Sequence, residues 1–243
     1  MSRSRAAAAP TLSPLDDPVV VRADRVTRCF GNGAATVVAV RGVSAAVAPR
    51  ARIALTGPSG SGKSTLLHLL AGLDRPTSGT VSWPGMEQAA ASDPDRVGLV
   101  FQGPSLIPSL DVVENVRLPL LFGGCTELEA TARAQDALSR LGITELAHAL
   151  PDALSGGQAQ RVAIARVLAT APRLILADEP TGQLDHATAA LVIDVLIAAA
   201  DDLGAALIVS THDPLIAHRL PTEWAMRDGR LRATNPADHT APR

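Results

Sequence analysis

Gly57-Pro58-Ser59-Gly60-Ser61-Gly62-Lys63-Ser64-Thr65 decides the reading of this chain, and Lys63 is the single lysine among its 243 residues. Elsewhere the sequence relies on arginine for side-chain positive charge at neutral pH. The spacing G-x-x-x-x-G-K-[ST] curls successive backbone N–H groups into one concavity that suits phosphate oxygens. A compact ammonium fits between the β- and γ-phosphates as a point charge, where a planar guanidinium is too wide. The Ser64 hydroxyl is then placed to ligate Mg²⁺. A glycine–serine loop with a chance lysine is the bland alternative. The stretch predicts a bound nucleoside triphosphate.

Working outward, Ile53–Thr56 is a short strand feeding this loop, and Leu66–Leu70 begins the helix after it. Val97–Phe101, Leu174–Ala177 and Leu207–Ser210 are apolar enough to be strands covered on both faces. They predict an open α/β sheet with functional loops at the carboxyl ends of its strands. Val19–Val26, Val37–Val40 and Ser44–Val47 read as strands of a leading β region. The stretch from about 108 to 160 differs: Glu127–Leu141 is helical and ended by Gly142, and Val162–Leu168 opens another amphipathic helix. Without a convincing buried strand between Asp111 and Arg173, it reads as a helical insertion in the core. Residues 1–17 and 233–243 read as flexible tails around a domain of residues 18–232.

Composition narrows the class. Hydrophobic residues make up 47% of the chain and aromatics only 2%, so one substantial core must be built from Leu, Val, Ile and Ala. A net charge of −2 without a basic run argues against a nucleic-acid partner. Cys29 and Cys125 are isolated, form no metal-ligand pair, and suggest a reducing compartment. No apolar run approaches the roughly 18 residues that span a bilayer. The best candidate, Leu191–Ala200, is interrupted by Asp194, and Ala6–Ala9 is too short for a signal peptide. The expected location is the cytosol.

Two further motifs bear on chemistry. Leu174-Ile-Leu-Ala-Asp178-Glu179-Pro180 is an apolar strand ending in adjacent carboxylates, whose side chains strand alternation turns in different directions. Asp178 is assigned to the metal and Glu179 to the general base that polarises the attacking water. Alone, the pair would also suit a surface turn. Leu154-Ser155-Gly156-Gly157-Gln158 opens the helix that contains Arg161–Leu168. Its N–H groups and helix dipole could make a second anion site; equally, Ser155 could simply cap the helix.

Taken in order, GPSGSGKST, Phe101-Gln102, LSGGQ, LILADEP, Gly182-Gln183-Leu184-Asp185 and Ser210-Thr211-His212-Asp213 resemble the ATP-binding cassette (ABC) family across residues 19–232. The resemblance implies a P-loop, RecA-like α/β ATPase core with a leading antiparallel β region and an inserted α-helical subdomain. It implies ATP and Mg²⁺ held between two cassettes packed head to tail, with LSGGQ acting in trans on the partner's phosphate loop. Gln102 matches the glutamine that senses Mg²⁺ and the γ-phosphate. His212 matches the switch histidine that contacts the γ-phosphate and orients the water, and Asp185 the aspartate that communicates between sites. Phe30 stands where relatives usually carry a tyrosine stacked on adenine; it keeps the ring and loses the hydroxyl. Gln183 stands where asparagine is common. The remaining histidines match no family role.

The stretches 66–79 (LLHLLAGLDRPTSG), 108–121 (PSLDVVENVRLPLL), 154–168 (LSGGQAQRVAIARVL) and 177–185 (ADEPTGQLD) are similar to the ATPases of lipoprotein-release, macrolide-efflux and cell-division complexes. That similarity implies a separate integral membrane permease subunit with a large extracytoplasmic domain. The chain would then sit peripherally on the inner face of the membrane. A soluble or regulatory ABC ATPase is the alternative. Against it, the segment between Lys63 and Ser155 is too short for a long coiled coil, and Glu179 and His212 are both present.

Overall fold

The computed structural model describes residues 19–31, 33–84, 86, 97–182 and 184–234. The predicted tail 1–17, most of the tail 233–243, and Gln183 lie outside the described residues. Nine strands and six α-helices are described: β1 (Val21–Phe30), β2 (Val37–Val47), β3 (Arg52–Thr56), α1 (Lys63–Leu70), β4 (Ser78–Ser82), β5 (Val97–Val100), α2 (Val112–Phe122), α3 (Glu127–Arg140), α4 (Gly156–Leu168), β6 (Leu174–Asp178), α5 (His186–Leu203), β7 (Ala206–Thr211), α6 (Pro214–Ala217), β8 (Thr222–Arg227) and β9 (Arg230–Thr234).

They build two sheets. One is antiparallel with order β2-β1-β4; the other has order β5-β6-β7-β3-β8-β9 and is parallel except for β9. Side-chain alternation along the parallel strands divides the core in two. Ile53, Leu55, Leu174, Leu176 and Ile208 point to the layer shared with α1 and the antiparallel sheet. Ala54, Ile175, Ala177, Leu207 and Val209 point to the layer shared with α2–α5. Both faces being covered explains why these strands are continuous apolar runs.

Register then sets the site. Thr56 pairs with Thr211, Asp178 with Ser210, and Val100 with Ala177, so four parallel strands end nearly level. The loops that leave β3, β5, β6 and β7 therefore meet along one rim of the sheet.

Some sequence expectations shift. Val37–Val40 and Ser44–Val47 are one strand, not two. The irregular pairing of β1 with β2 absorbs Arg41 and Gly42, and Gly42 takes φ 57, a conformation that glycine adopts without steric cost. Strands β4 and β9 escape the sequence because they are short edge strands rich in polar residues, and β8, between β3 and β9, because Thr222, Glu223 and Arg227 flank its apolar residues. Pairing of Glu223 with Thr234 draws residues 233 and 234 into β9, where a tail was expected. The helical stretch runs beyond 160, to Leu168 at the end of α4. Among the described residues no strand lies between α2 and α4, and no helix is long and apolar enough to cross a membrane.

Candidate nucleotide site

Ser59, Gly60, Gly62, Lys63, Ser64, Thr65, Gln102 and Glu179 line one cavity of about 250 Å³ with Ala39. The loop between β3 and α1 forms its floor because glycine occupies the positions where a side chain is impossible. At Gly57 (φ 146) a Cβ would stand 2.2 Å from the Met226 carbonyl oxygen, and at Gly62 (φ 103) 2.2 Å from that of Ala39. Helix α1 begins at Lys63, so its N-terminal N–H groups and positive dipole end face the cavity. Gly57 and Pro58 border a neighbouring cavity with His212. Ser61 is turned away and buried, and its hydroxyl has no hydrogen-bond partner among the described residues.

Lys63 is buried and already coordinated. Its Nζ donates to the carbonyls of Gly57 (2.8 Å) and Pro58 (3.2 Å) and lies 3.4 Å from Glu179 Oε1. Three close oxygens around a compact ammonium leave no room for a planar fork. Lys63→Arg is therefore expected to lose nucleotide affinity about tenfold or more, close to the loss in Lys63→Ala. Calorimetric titration of both variants with ATP checks this; wild-type affinity in the arginine variant would contradict it.

The two carboxylates part company for a reason other than pleating. Strand β6 ends at Asp178, and Glu179 has φ 44, a left-handed backbone uncommon outside glycine. That turn, not strand alternation, separates the side chains. Asp178 is buried and accepts from Ser210 Oγ at 2.6 Å, while Ser210 Oγ accepts from the Glu179 backbone N–H at 2.9 Å. One hydroxyl on β7 thus holds both residues. Glu179 points into the cavity, with Oε2 3.2 Å from His212 Nδ1. Strain of about 1 kcal/mol or more at such a residue persists only where neighbours over-determine it. Ser210 was quoted in the sequence motif but given no role; its signal was its place one residue before the end of a buried strand.

The donor set suits Mg²⁺. Ser64 and Gln102 line the same cavity as Lys63, and a hydroxyl and an amide carbonyl are hard oxygen donors of the kind this ion takes. Asp178 does not line that cavity.

Three predicted pieces stand apart from this cavity. Ser155 caps α4 in a reciprocal box: its Oγ accepts from the Gln158 N–H (3.3 Å), and its N–H donates to Gln158 Oε1 (2.8 Å). The capping reading is thus realised, and it leaves Gly156 to explain. Among the described residues, nothing beyond its chain neighbours and its own helix backbone comes within 4 Å of where a Gly156 Cβ would be, whereas one at Gly157 would meet Thr188 at 3.1 Å. Asp185 caps α5, accepting from the Ala187 and Thr188 N–H groups (3.0 Å each) and from Thr188 Oγ1 (2.6 Å). The Thr188 hydroxyl, then its backbone N–H, hold the Asp185 carboxyl below the usual aspartate range. Phe30 ends β1 and is 43% exposed.

Helix α4 and the loop that leaves β5 are tied within the chain. Gln160 Nε2 donates to the Phe101 carbonyl at 3.3 Å, and Arg166 donates to those of Pro104 and Ser105 at 3.2 and 2.9 Å. Sequence reading gave neither residue a role.

A parallel sheet with a glycine-rich phosphate loop, a buried lysine and a strand-end carboxylate pair at one rim defines a P-loop nucleoside triphosphatase. Residues 40–182 match the family described as ABC transporter, and the chain belongs to that family as an ATP-hydrolysing, ATP-binding subunit. It is 40% identical over 223 residues to the lipoprotein-releasing system ATP-binding protein LolD of Legionella pneumophila (strain Paris), covering 88% of this chain and 98% of that protein. It is likewise 40% identical over 220 residues to the LolD of Alcanivorax borkumensis, covering 88% and 96%. Among solved structures, an ATP-binding cassette in a dimeric post-hydrolysis state with ADP and Pi superimposes with a TM-score of 0.81 at 34% identity, covering 88% of this chain and 98% of that one. The protein cbiO1 from Clostridium perfringens, part of the ABC transporter complex cbiONQ, gives 0.77 at 28%, covering 91% and 90%.

Proposed function

We propose that two copies of this chain close head to tail on two ATP molecules, each site pairing the phosphate loop of one copy with Ser155–Gln158 of the other. One observation carries the reading: the cavity that holds Lys63, Gln102 and Glu179 contains none of Ser155, Gly156, Gly157 or Gln158. The open space at Gly156 is where a partner's nucleotide would approach. That a similar cassette is dimeric with ADP and Pi bound supports the pairing of two copies.

Within each site, Phe30 stacks on adenine and the N–H groups of residues 57–65 cradle the phosphates, with Lys63 between the β and γ groups. Glu179 takes the proton of the attacking water, and His212, held against Oε2, fixes that carboxylate and the water's direction. Ser64 and Gln102 would hold Mg²⁺, with Asp178 behind them; the ion would neutralise charge building on the phosphate oxygens. Asp185, beside the partner's site, reports its occupancy.

The motion is delivered to a separate integral membrane permease subunit, a reading supported by relatives named as the ATP-binding part of a lipoprotein-releasing system, and that subunit carries an extracytoplasmic domain. The chain works on the inner face of the membrane and takes no nucleic acid. Purifying the tagged chain from detergent-solubilised membranes and identifying what comes with it tests this. A multispanning protein with a large extracytoplasmic domain is expected; recovery with ribosomes or DNA instead would contradict it.

A further inference from the structure

The exposed ring of Phe30 is backed by a cation. The Arg28 guanidinium carbon lies 4.4 Å from the ring centroid. Arg28 is itself fixed: its Nε donates to Asp74 Oδ2 at 2.7 Å, and about three quarters of each side chain in this pair is out of solvent. The other Asp74 oxygen accepts from the Arg75 N–H at 2.7 Å. The Asp74 backbone is in turn bonded to the C-terminal part of α1, through the His68 carbonyl. Thr77, a little further on, accepts the Cys29 N–H through its hydroxyl at 3.0 Å. A continuous chain of contacts therefore runs from the helix that begins at the phosphate loop to the ring at the end of β1.

We infer that Arg28, held by Asp74, is a positioning residue for the nucleotide base: it covers one face of the Phe30 ring and leaves the other face open and oriented for adenine. The inference rests on the reading of Phe30 as the base platform. A partly buried guanidinium cannot be the group that adenine displaces without also breaking its bond to Asp74, so the base takes the opposite face of the ring. Cation–π attraction draws ring electron density toward Arg28 and makes the far face a better partner for a π-rich base. A ring already immobilised also loses less freedom when the base docks. Phe30 lacks the hydroxyl through which a tyrosine could be anchored, and the Arg28 contact supplies the anchoring from beneath.

The test compares ATP with inorganic tripolyphosphate, which fills the phosphate loop and has no base. Arg28→Ala is expected to raise the Kd and KM for ATP about three- to tenfold, with kcat at saturation and tripolyphosphate affinity unchanged. Asp74→Asn should lose part of the same affinity, and Arg28→Lys, which keeps a cation on the ring, should recover part of it. In a Phe30→Ala background, Arg28→Ala should add nothing. Equal weakening of ATP and tripolyphosphate would overturn the inference, since Arg28 would then only support β1. ATP affinity that is unchanged or tighter in Arg28→Ala, with Phe30→Ala weakened, would overturn it while leaving the base platform standing. Wild-type ATP affinity in Phe30→Ala would overturn the platform reading, and the inference with it.

Discussion

Glu179→Gln is expected to bind ATP at least as well as the wild type and to lose about 10²–10⁴-fold in turnover, the usual cost of removing a general base. The neutral amide cannot take the proton of the attacking water. The structure adds a reason for affinity to be kept. Glu179 Oε1 lies 3.4 Å from Lys63 Nζ, so the carboxylate competes with phosphate for that ammonium. Removing its charge frees Lys63 for the nucleotide. The amide still reaches His212, so the surrounding geometry survives. Steady-state hydrolysis and size-exclusion chromatography with ATP check the two halves: turnover should collapse and an ATP-bound dimer should accumulate. Near-normal hydrolysis would move the base role to His212.

Ser155→Arg is the second large effect, and it separates action in trans from action in cis. A single copy should keep its ATP affinity, because the cavity around Lys63 contains no residue of the Ser155–Gln158 stretch. Hydrolysis should be abolished, because a bulky cation at the start of α4 blocks the facing γ-phosphate. A mixture with Glu179→Gln sharpens the contrast. In the mixed dimer both lesions fall in one composite site, since Ser155 of one copy serves Glu179 of the other, and the second site is whole. Hydrolysis absent from each variant alone and present in the mixture is the expected outcome. If Ser155 acted within its own chain, each site would carry one lesion and the mixture would stay inactive.

How much of this was legible in the sequence follows from what each residue depends on. The phosphate loop was legible because its glycines answer to local backbone geometry: Gly57 and Gly62 sit where a Cβ would collide with backbone oxygens. The buried strands were legible because both faces are covered, which forces continuous apolar runs. Strand β8 was not, since Thr222, Glu223 and Arg227 flank its apolar residues, and neither was edge strand β9, where Arg230 and Arg232 do the same. The separation of Asp178 from Glu179 was foreseen for the wrong cause. A positive φ at a glutamate has no sequence signature, and it depends on Ser210 from a strand far along the chain. Arg28 and Arg166 were invisible for the same reason: each acts through a contact that only the folded chain brings within reach.

The head-to-tail arrangement is tested most directly by a disulfide. Ser59→Cys and Ser155→Cys would be combined in a Glu179→Gln chain whose half-buried native thiols, Cys29 and Cys125, are replaced by serine. Under oxidation with ATP bound, a covalent dimer joined between chains is expected on non-reducing electrophoresis, and little without nucleotide. A disulfide formed within single chains and never between them would contradict the arrangement.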